Sequence, residues 1–249
     1  MGATVYHSTT IPHGRRNVAE RGVPRLPPAY HGRMHTHHVP IADTSLAVHT
    51  RGRGIPVLLL HAFPLDHRMW AAQEPLAEHL RLIVPDQRGF GGSRQAGVPG
   101  SIGQLADDAI AVLDALHVDE PAVVCGCSMG GYVAQHIAVR YPARIRSLVL
   151  VDTKLEADTP EARAARVDLA GKVGRLGPAI LADAMLPRLL AVPRSDADAR
   201  ARDRHAANQA LLRDMIGRQR VATIQAALAA LGDRPDMTSA MRHVRAPTL

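Results

Sequence analysis

The sequence predicts an α/β protein, a mostly parallel sheet with helices on both faces and a helical cap. Three observations lead to this prediction. Short apolar runs typical of buried strands alternate with runs in which apolar residues recur at helical spacing. Within residues 122–141 a strand-type run passes into a helix-type run through a glycine-rich turn. Between residues 153 and 243 only helix-type runs remain, and we expect these helices to form the cap.

The composition is that of a globular chain. Its 249 residues suffice for one sizeable α/β core, and 46% hydrophobic and 21% charged residues are ordinary values. The net charge of +7 comes mainly from arginines spread along the chain, without a basic stripe on one helix or interleaved aromatic residues. We therefore expect no nucleic-acid partner. No apolar stretch has membrane-spanning length, so we expect no membrane partner either.

Residues 1–33 form a predicted disordered extension, because this Gly-, Pro-, Arg- and His-rich segment has no periodicity and too few apolar residues for a core. Six of the fourteen histidines lie within the first 38 residues, but their irregular spacing predicts no metal site. We hypothesise that Met34 is the biological start. No apolar segment follows the Arg15-Arg16 pair, so we expect no export and a cytoplasmic location.

The first predicted elements are a hairpin and a buried strand. Residues 38–41 and 46–50 flank a turn around Asp43-Thr44. Residues 55–61 are a continuous apolar run of the kind found inside parallel sheets. This run ends in the sequence His61-Ala62-Phe63-Pro64, which predicts a turn at the edge of the sheet.

A helix, a strand and a glycine-rich loop follow. The spacing predicts a helix over residues 68–80 and a fourth strand over residues 82–85. Residues 86–93 (DQRGFGGS) form the loop, and residues 102–116 predict a helix packed on the sheet. The inner side of the helix over residues 68–80 is expected to carry Trp70, Leu76 and Leu80.

Residues 126–130, Gly-Cys-Ser-Met-Gly, predict a sharp elbow between the fifth strand and a helix. A serine there takes a strained backbone conformation that directs its hydroxyl out of the sheet edge, and Gly126 and Gly130 remove side chains that would collide across the turn. The Met129 amide lies at the helix start, where an unpaired N–H and the helix dipole favour a developing oxyanion. Ser128 is therefore the candidate nucleophile.

Two cysteines, Cys125 and Cys127, flank Gly126 in this elbow. Two residues apart on a strand, they cannot form a disulfide without distorting the backbone. Two thiols alone do not form a zinc site. We interpret them as small buried apolar residues in a reducing compartment.

The rest of the sequence predicts one more full strand and the cap. Residues 145–151 predict a buried sixth strand that ends at Asp152, and residues 159–243 predict four or five amphipathic helices. Residues 244–249 have the pattern of an opening strand. The predicted organisation is a disordered extension over residues 1–33, the first part of the core over residues 34–152, a cap over residues 153–243 and the start of a C-terminal part of the core over residues 244–249.

Three motifs in this order resemble the α/β-hydrolase superfamily: the His61-Ala62-Phe63-Pro64 turn, the loop of residues 86–93 and the nucleophile elbow of residues 126–130. Residues 152–161 and Arg234-Pro235-Asp236 are similar to the group that includes 3-oxoadipate enol-lactonases and related small serine esterases. The resemblance implies a cofactor-independent hydrolase without a metal, acting on a small-molecule carboxylic ester or lactone.

The resemblance also implies residue roles. Ser128 would be the nucleophile, and the backbone amides of Phe63 and Met129 would form the oxyanion hole, where losing one donor typically costs ~10²–10³ in rate. Asp86 and Arg88 would be structural. A serine nucleophile argues against the haloalkane dehalogenases and epoxide hydrolases of the superfamily, which use an aspartate at this position.

A serine nucleophile needs a base, and no later histidine is a credible candidate. His136 lies on the helix that leaves the elbow, roughly 12 Å along its axis, and is interpreted as a helix-surface residue. His205 lies on a polar cap helix, and His243 precedes a strand at the opposite sheet edge. Asp152 could serve as the acid, but capping or bracing the first turn of the cap is the favoured interpretation.

By the resemblance, the usual acid and histidine follow the seventh and eighth strands, beyond Leu249. We therefore expect a C-terminally incomplete, inactive fragment that lacks about 50 residues. Two alternatives stay open. The same constellation could perform carbon–carbon hydrolysis or perhydrolysis, or the protein could be a non-catalytic α/β-hydrolase-like binder of a ligand under the cap. A stop codon after Leu249 would favour the non-catalytic alternative.

Overall fold

A six-stranded sheet, with strand order β1-β2-β4-β3-β5-β6, organises the protein. The computed structural model describes residues 34–194 and 198–249, so the predicted extension over residues 1–33 lies outside the described residues. β1 pairs antiparallel with β2 and β2 with β4, whereas β4, β3, β5 and β6 are parallel neighbours. The predicted α/β class with a mostly parallel sheet is confirmed. The strands are β1 (His35–Ile41), β2 (Thr44–Arg51), β3 (Ile55–Leu60), β4 (Leu80–Pro85), β5 (Ala122–Cys127) and β6 (Ile145–Val151).

Two long helices pack on the sheet, and five further helices follow β6. Three of the seven have an N-cap side chain that satisfies a free backbone N–H of the first turn. Ser101, Thr159 and Asp198 each accept a hydrogen bond from the amide three residues later. The five later helices agree with the predicted four or five, whereas the domain boundaries stay predictions. The helices are α1 (Ile102–Ala115), α2 (Met129–Arg140), α3 (Pro160–Leu176), α4 (Ala179–Leu189), α5 (Ala199–Gly217), α6 (Val221–Gly232) and α7 (Thr238–Met241). Among the described residues no helix is both long and apolar enough to span a membrane.

β3 and β5 are central strands, and their register sets the position of the candidate site. Leu58 and Leu60 of β3 and Val124 of β5 are fully buried, as expected for strands with helices on both faces. Leu60 is opposite Gly126 in this parallel pair. The loops that follow the two strands therefore leave the same sheet edge side by side.

The helix predicted over residues 68–80 is a 3-10 helix over His67–Glu78. Trp70 is buried as predicted, but Leu76 is 47% exposed and Leu80 opens β4. The prediction of an inner side with Leu76 was wrong because a 3-10 helix has three residues per turn, and because Pro75 has no amide hydrogen for the helix.

The last residues of the chain extend the sheet beside β6. Thr248 forms a parallel bridge with Leu148. The Leu148 amide donates to the Pro247 carbonyl at 2.8 Å, and the Leu150 amide donates to the Leu249 carbonyl at 2.9 Å. Thr248 thus pairs with β6 as predicted, but only as an isolated bridge, and the start of a C-terminal part of the core at residues 244–249 stays a prediction.

Apart from the core around the sheet, an apolar cluster joins the helices after β6 to the loop after β3. Ala62 and Leu65 of that loop are buried in it, with Phe63 and Cys127 packed against it. The helices after β6 therefore cover the loops that carry Phe63 and Ser128. Their buried members in this cluster are Val173, Leu181, Ala182, Leu186, Met215, Ile216, Ile224 and Leu228.

Candidate active site

Ser128 forms the predicted elbow between β5 and α2. Its φ of 50° and ψ of −108° lie in a region that residues other than glycine rarely adopt. The Ser128 amide donates to the Val151 carbonyl of β6 at 2.9 Å, which extends the β5–β6 pairing through the turn. The backbone strain is thus maintained by a tight connection to the neighbouring strand.

Three glycines allow the elbow to approach its surroundings closely. A Cβ atom on Gly126 would lie 2.1 Å from the Gly130 carbonyl oxygen, and one on Gly130 would lie 2.1 Å from the Leu60 carbonyl oxygen. A Cβ on Gly131 would lie 2.6 Å from the Thr153 side chain. The start of α2 therefore packs directly on the end of β3, next to the loop that carries Phe63.

The segment after β6 braces the elbow from the other side. The Thr153 hydroxyl donates to the Ser128 carbonyl at 3.1 Å, and Gln135 of α2 donates to the Lys154 carbonyl at 3.0 Å. Sequence reasoning missed Thr153. Its position two residues after a predicted strand was the available signal.

The two residues proposed to supply oxyanion amides lie at the same sheet edge. Met129 is the first residue of α2 and is fully buried. Phe63 follows β3, and its ring contacts the ring of Phe90 edge to face, with 6.5 Å between centroids. The first amides of a helix have no acceptor within the helix, so the Met129 N–H has no acceptor within α2.

His61 is a buried connection between the two loops that flank the site, a role that the sequence did not reveal. Its Nε2 accepts from the Gln87 backbone amide at 3.0 Å, so its Nδ1 carries the hydrogen and donates to the Ala62 carbonyl at 3.1 Å. The Gln87 side chain returns a bond to the His61 carbonyl at 2.8 Å. Burial lowers the pKa of His61, which keeps the ring neutral. With both nitrogens bonded, His61 is a structural residue.

Asp86 and Arg88 each have their own partners, in agreement with the predicted structural role. Arg88 is buried and donates to both oxygens of Asp43 and both oxygens of Asp108, at 2.7–2.9 Å. It thereby ties the first hairpin to α1. Asp86 bonds His49 and His67 instead.

The Ser128 hydroxyl itself has no hydrogen-bond partner among residues 34–194 and 198–249, and no histidine of these ranges bonds it. His136 is half-buried and not simply on the helix surface, and burial lowers its pKa. His243 lines a cavity with Ile145 and Arg146 at the start of β6, the edge opposite Ser128, as predicted. The described residues therefore contain a candidate nucleophile without a positioned base.

Asp152 does not cap the first helix after β6. It is exposed, with φ 46°, and its side chain forms no hydrogen bond or ion pair with the described residues. Helix α3 begins instead after Thr159, whose hydroxyl accepts the Ala162 amide. The capping interpretation was wrong because the chain runs on for several residues before α3 starts.

The two cysteines are free thiols and do not compete with Ser128 as nucleophiles. Burial raises the pKa of Cys125 to about 11, with a further contribution from Cys127. Burial and the charge of Asp152 also raise the pKa of Cys127. A thiol with a raised pKa is a poor nucleophile at neutral pH. Cys125 is buried as predicted, whereas Cys127 is only half-buried.

Comparisons with known proteins agree with this geometry. The sequence profile of the alpha/beta hydrolase fold matches residues 55–192. The chain is similar to a solved esterase from Thermogutta terrifontis, with 34% identity and a TM-score of 0.73 over 87% of this chain and 78% of that one. It is similar to an enol-lactonase from Burkholderia xenovorans LB400, with 27% identity and a TM-score of 0.70 over 84% of this chain and 77% of that one.

A curated relative gives a third similarity. It is a 2-hydroxymuconate semialdehyde hydrolase from Pseudomonas sp. strain CF600, 37% identical over 109 residues, which are 42% of this chain and 38% of that protein. The matched part of the chain spans less than half the length of the curated relatives it matches. The family profile covers more than half of the chain and includes β3, the elbow and β6, and the similarity to the Thermogutta esterase extends over most of both chains. This chain belongs to the alpha/beta hydrolase fold family.

Proposed function

We propose that this protein is the serine hydrolase of a small carboxylic ester or lactone, with Ser128 as its nucleophile. The observation that carries the proposal is the strained Ser128 at a sharp strand-to-helix elbow, whose hydroxyl has no partner in the described part of the chain. Strain of this kind persists only where the surroundings enforce it, and it is typical of functional positions. The close contacts of Gly126 and Gly130 supply that enforcement.

In the proposed reaction the Ser128 oxygen attacks the carbonyl carbon of the substrate, and the carbonyl oxygen becomes an oxyanion. The backbone amides of Met129 and Phe63 stabilise this charge, because their loops leave the same edge of the sheet. The intermediate collapses to an acyl-enzyme, and the leaving oxygen departs with a proton. Water then attacks the acyl carbon, transfers one of its protons to the Ser128 oxygen and releases the carboxylic acid.

The surroundings of the elbow support a substrate with an apolar acyl or lactone part. Phe63 and Cys127 pack against the apolar cluster formed by the loop after β3 and the helices after β6. A charged substrate held against this cluster would lose its hydration without gaining an ion pair. The similarity to an esterase and an enol-lactonase points to the same substrate class.

A carbon–carbon hydrolase is a second candidate, because a 2-hydroxymuconate semialdehyde hydrolase is among the similar proteins. The same nucleophile and oxyanion hole would serve this reaction, with a carbon leaving group that must be protonated. A non-catalytic binding protein is the third candidate, supported by the lack of a histidine bonded to Ser128 in the described residues. For the same reason we expect residues 1–249 alone to show no turnover.

The test compares residues 1–249 with the product of the natural gene translated to its stop codon. Each is assayed with p-nitrophenyl acetate, a lactone and a vinylogous 1,5-diketone, beside its own Ser128→Ala variant. We expect the natural gene product to hydrolyse an ester or lactone, and Ser128→Ala to lower kcat by at least about 10³-fold. Turnover of the diketone alone would select the carbon–carbon hydrolase. Equal rates for the natural product and its Ser128→Ala variant with all three substrates would overturn the enzyme proposal.

A further inference from the structure

Two histidines and a carboxylate meet at the edge of the sheet outside the Ser128 elbow. His49 lies on β2, His67 begins the 3-10 helix, and Asp86 follows β4. One candidate ligand atom from each lies within 4.8 Å of the other two. His49 and Asp86 are buried, whereas the His67 side chain is 25% exposed. The proposed hydrolase reaction uses none of the three.

Strand pairing brings these residues together although they are distant in sequence. β2 and β4 are antiparallel, with His49 opposite Val84, and the Asp86 amide donates to the Ala47 carbonyl at 2.9 Å. His49 on β2 therefore lies next to Asp86 at the end of β4. The sequence contained no compact metal motif because this pairing, and not local spacing, assembles the cluster.

Four hydrogen bonds hold the Asp86 carboxylate in place. Its two oxygens accept backbone amides from His67 and Gly92, each at 2.7 Å. They also accept His67 Nδ1 at 2.9 Å and His49 Nε2 at 3.3 Å.

The imidazole nitrogens that face Asp86 are set by their other contacts. The two rings stack with centroids 3.4 Å apart and an interplanar angle of 18°. The Thr36 hydroxyl lies 3.0 Å from His49 Nδ1, which leaves His49 Nε2 facing the carboxylate. An outer partner on the second ring nitrogen is the usual way in which a protein orients a histidine that binds a metal.

We propose that His49, His67 and Asp86 bind a divalent transition-metal ion such as Zn²⁺. Two imidazole nitrogens and one carboxylate oxygen are a donor set that suits these ions, with further positions left for water. Without an ion, the ionised carboxylate can only accept, so His49 Nε2 and His67 Nδ1 each donate a hydrogen to it. The two rings stack without an ion, so the more exposed His67 ring must turn until the lone pairs of both rings face the ion, while Thr36 keeps its bond to His49 Nδ1.

An ion can reach this cluster from the surface. His67 lines one cavity of about 230 Å³ with Trp70 and Glu74, and another of about 250 Å³ with Gly92 and Arg94. The bound ion links β2, the 3-10 helix and the loop after β4. That loop includes Gln87, which fastens His61, so the metal would stiffen the frame of the candidate active site without contacting Ser128.

The test uses the full 249-residue chain, freed of metal with a chelator and titrated with Zn²⁺ by calorimetry. The matched protein carries His49→Gln and His67→Gln, since glutamine can still donate to Asp86 but lacks the imidazole ligand. His205→Gln, on α5, controls for loss of a histidine elsewhere. We expect the double variant to bind about one Zn²⁺ ion fewer than the wild type and His205→Gln. Zn²⁺ should raise the Tm of the wild type and of His205→Gln more than that of the double variant.

Two further variants keep the test decisive if the double variant does not fold. His67→Gln alone changes the most exposed member of the cluster and should lose the same site. Thr36→Val keeps all three ligands but removes the partner of His49 Nδ1, and we expect it to weaken binding about 10–100-fold. Co²⁺ should give visible absorption bands in the wild type that His67→Gln lacks. Equal Zn²⁺ binding and equal Co²⁺ spectra in the wild type and His67→Gln would overturn the proposal.

Discussion

The elbow at Ser128 and the ion-pair cluster around Asp158 differ in how many polar partners surround the central side chain. Within the described residues the Ser128 hydroxyl has no partner, and glycines crowd the backbone around it. The Asp158 side chain is 2% exposed and lies 2.5 Å from Arg166 Nε and 2.7 Å from an Arg234 guanidinium nitrogen. Lys154 Nζ is 3.6 Å away.

The difference separates a group positioned to react from groups that fasten the fold. A buried carboxylate is tolerated only when charges and hydrogen bonds surround it, and Asp158 has both. Arg234 also donates to the Leu231 and Glu156 carbonyls, so the cluster joins the end of α6 to the segment before α3. Ser128 is partly exposed, and an unpaired hydroxyl there costs little.

The largest expected effect on stability comes from adding a side-chain atom inside the elbow. Gly126→Ala places a Cβ 2.1 Å from the Gly130 carbonyl oxygen, which forces β5 and α2 apart. We expect a loss of about 4 kcal/mol in the free energy of unfolding, or no folded protein at all. Gly217→Ala is the matched control, because nothing lies within 4 Å of its added Cβ. Urea unfolding that ranks the two variants equally would show that the elbow is not tightly packed.

The second effect is pH-dependent and concerns Asp158. Burial alone would raise its pKa, but hydrogen bonds from Arg166 and Arg234 lower it to about 2. Because an unfolded aspartate titrates near ~3.9, the stabilisation is complete above that pH and is lost as the pH falls towards about 2. We expect Asp158→Asn to cost about 3 kcal/mol at neutral pH and clearly less at about pH 3.

Asp168→Asn is the control for this measurement. Asp168 pairs with Lys172 on α3, with both side chains more than half exposed. Its loss should cost less than about 0.5 kcal/mol at any pH. Urea unfolding across this pH range measures both variants, and a constant difference for Asp158→Asn would contradict the role assigned to its charge.

The smallest effect concerns the strain at Ser128. Alanine keeps the φ of 50° and removes only an unpartnered hydroxyl, so Ser128→Ala should leave stability within about 0.5 kcal/mol of wild type. Glycine adopts this backbone conformation without strain, so Ser128→Gly should stabilise the protein by about 1 kcal/mol. Thermal unfolding of the three proteins measures this order. A loss of stability in Ser128→Ala would reveal a structural partner for the hydroxyl.

The order of the elements could be predicted because each rests on a local pattern. The run over residues 55–60 is apolar at nearly every position, and the glycine spacing around Ser128 has few uses other than an elbow. The 3-10 character of His67–Glu78 could not be predicted, because the spacing of its apolar residues fits an α-helix as well as a 3-10 helix.

The connections within and around the candidate site were less accessible from sequence. His61 contacts Gln87 only because β3 and β4 are parallel neighbours whose following loops meet at one edge. Arg234 reaches Asp158 only after the four helices that separate them in the sequence have packed. Contacts of this kind depend on tertiary placement, which residue spacing does not encode.

The position of β3 between β4 and β5 has a consequence for the order of folding. Leu58 pairs with Ile83 on one side and with Val124 on the other. One edge of β3 therefore pairs with a strand that is near in sequence, and the other edge pairs with a strand that is far in sequence. Closing the longer loop costs more chain entropy and slows folding. During synthesis, β3 and β4 can pair while β5 is still inside the ribosome. Until β5 emerges, the apolar edge of β3 is open to other nascent chains, and a chaperone that binds extended apolar segments would act at this stage.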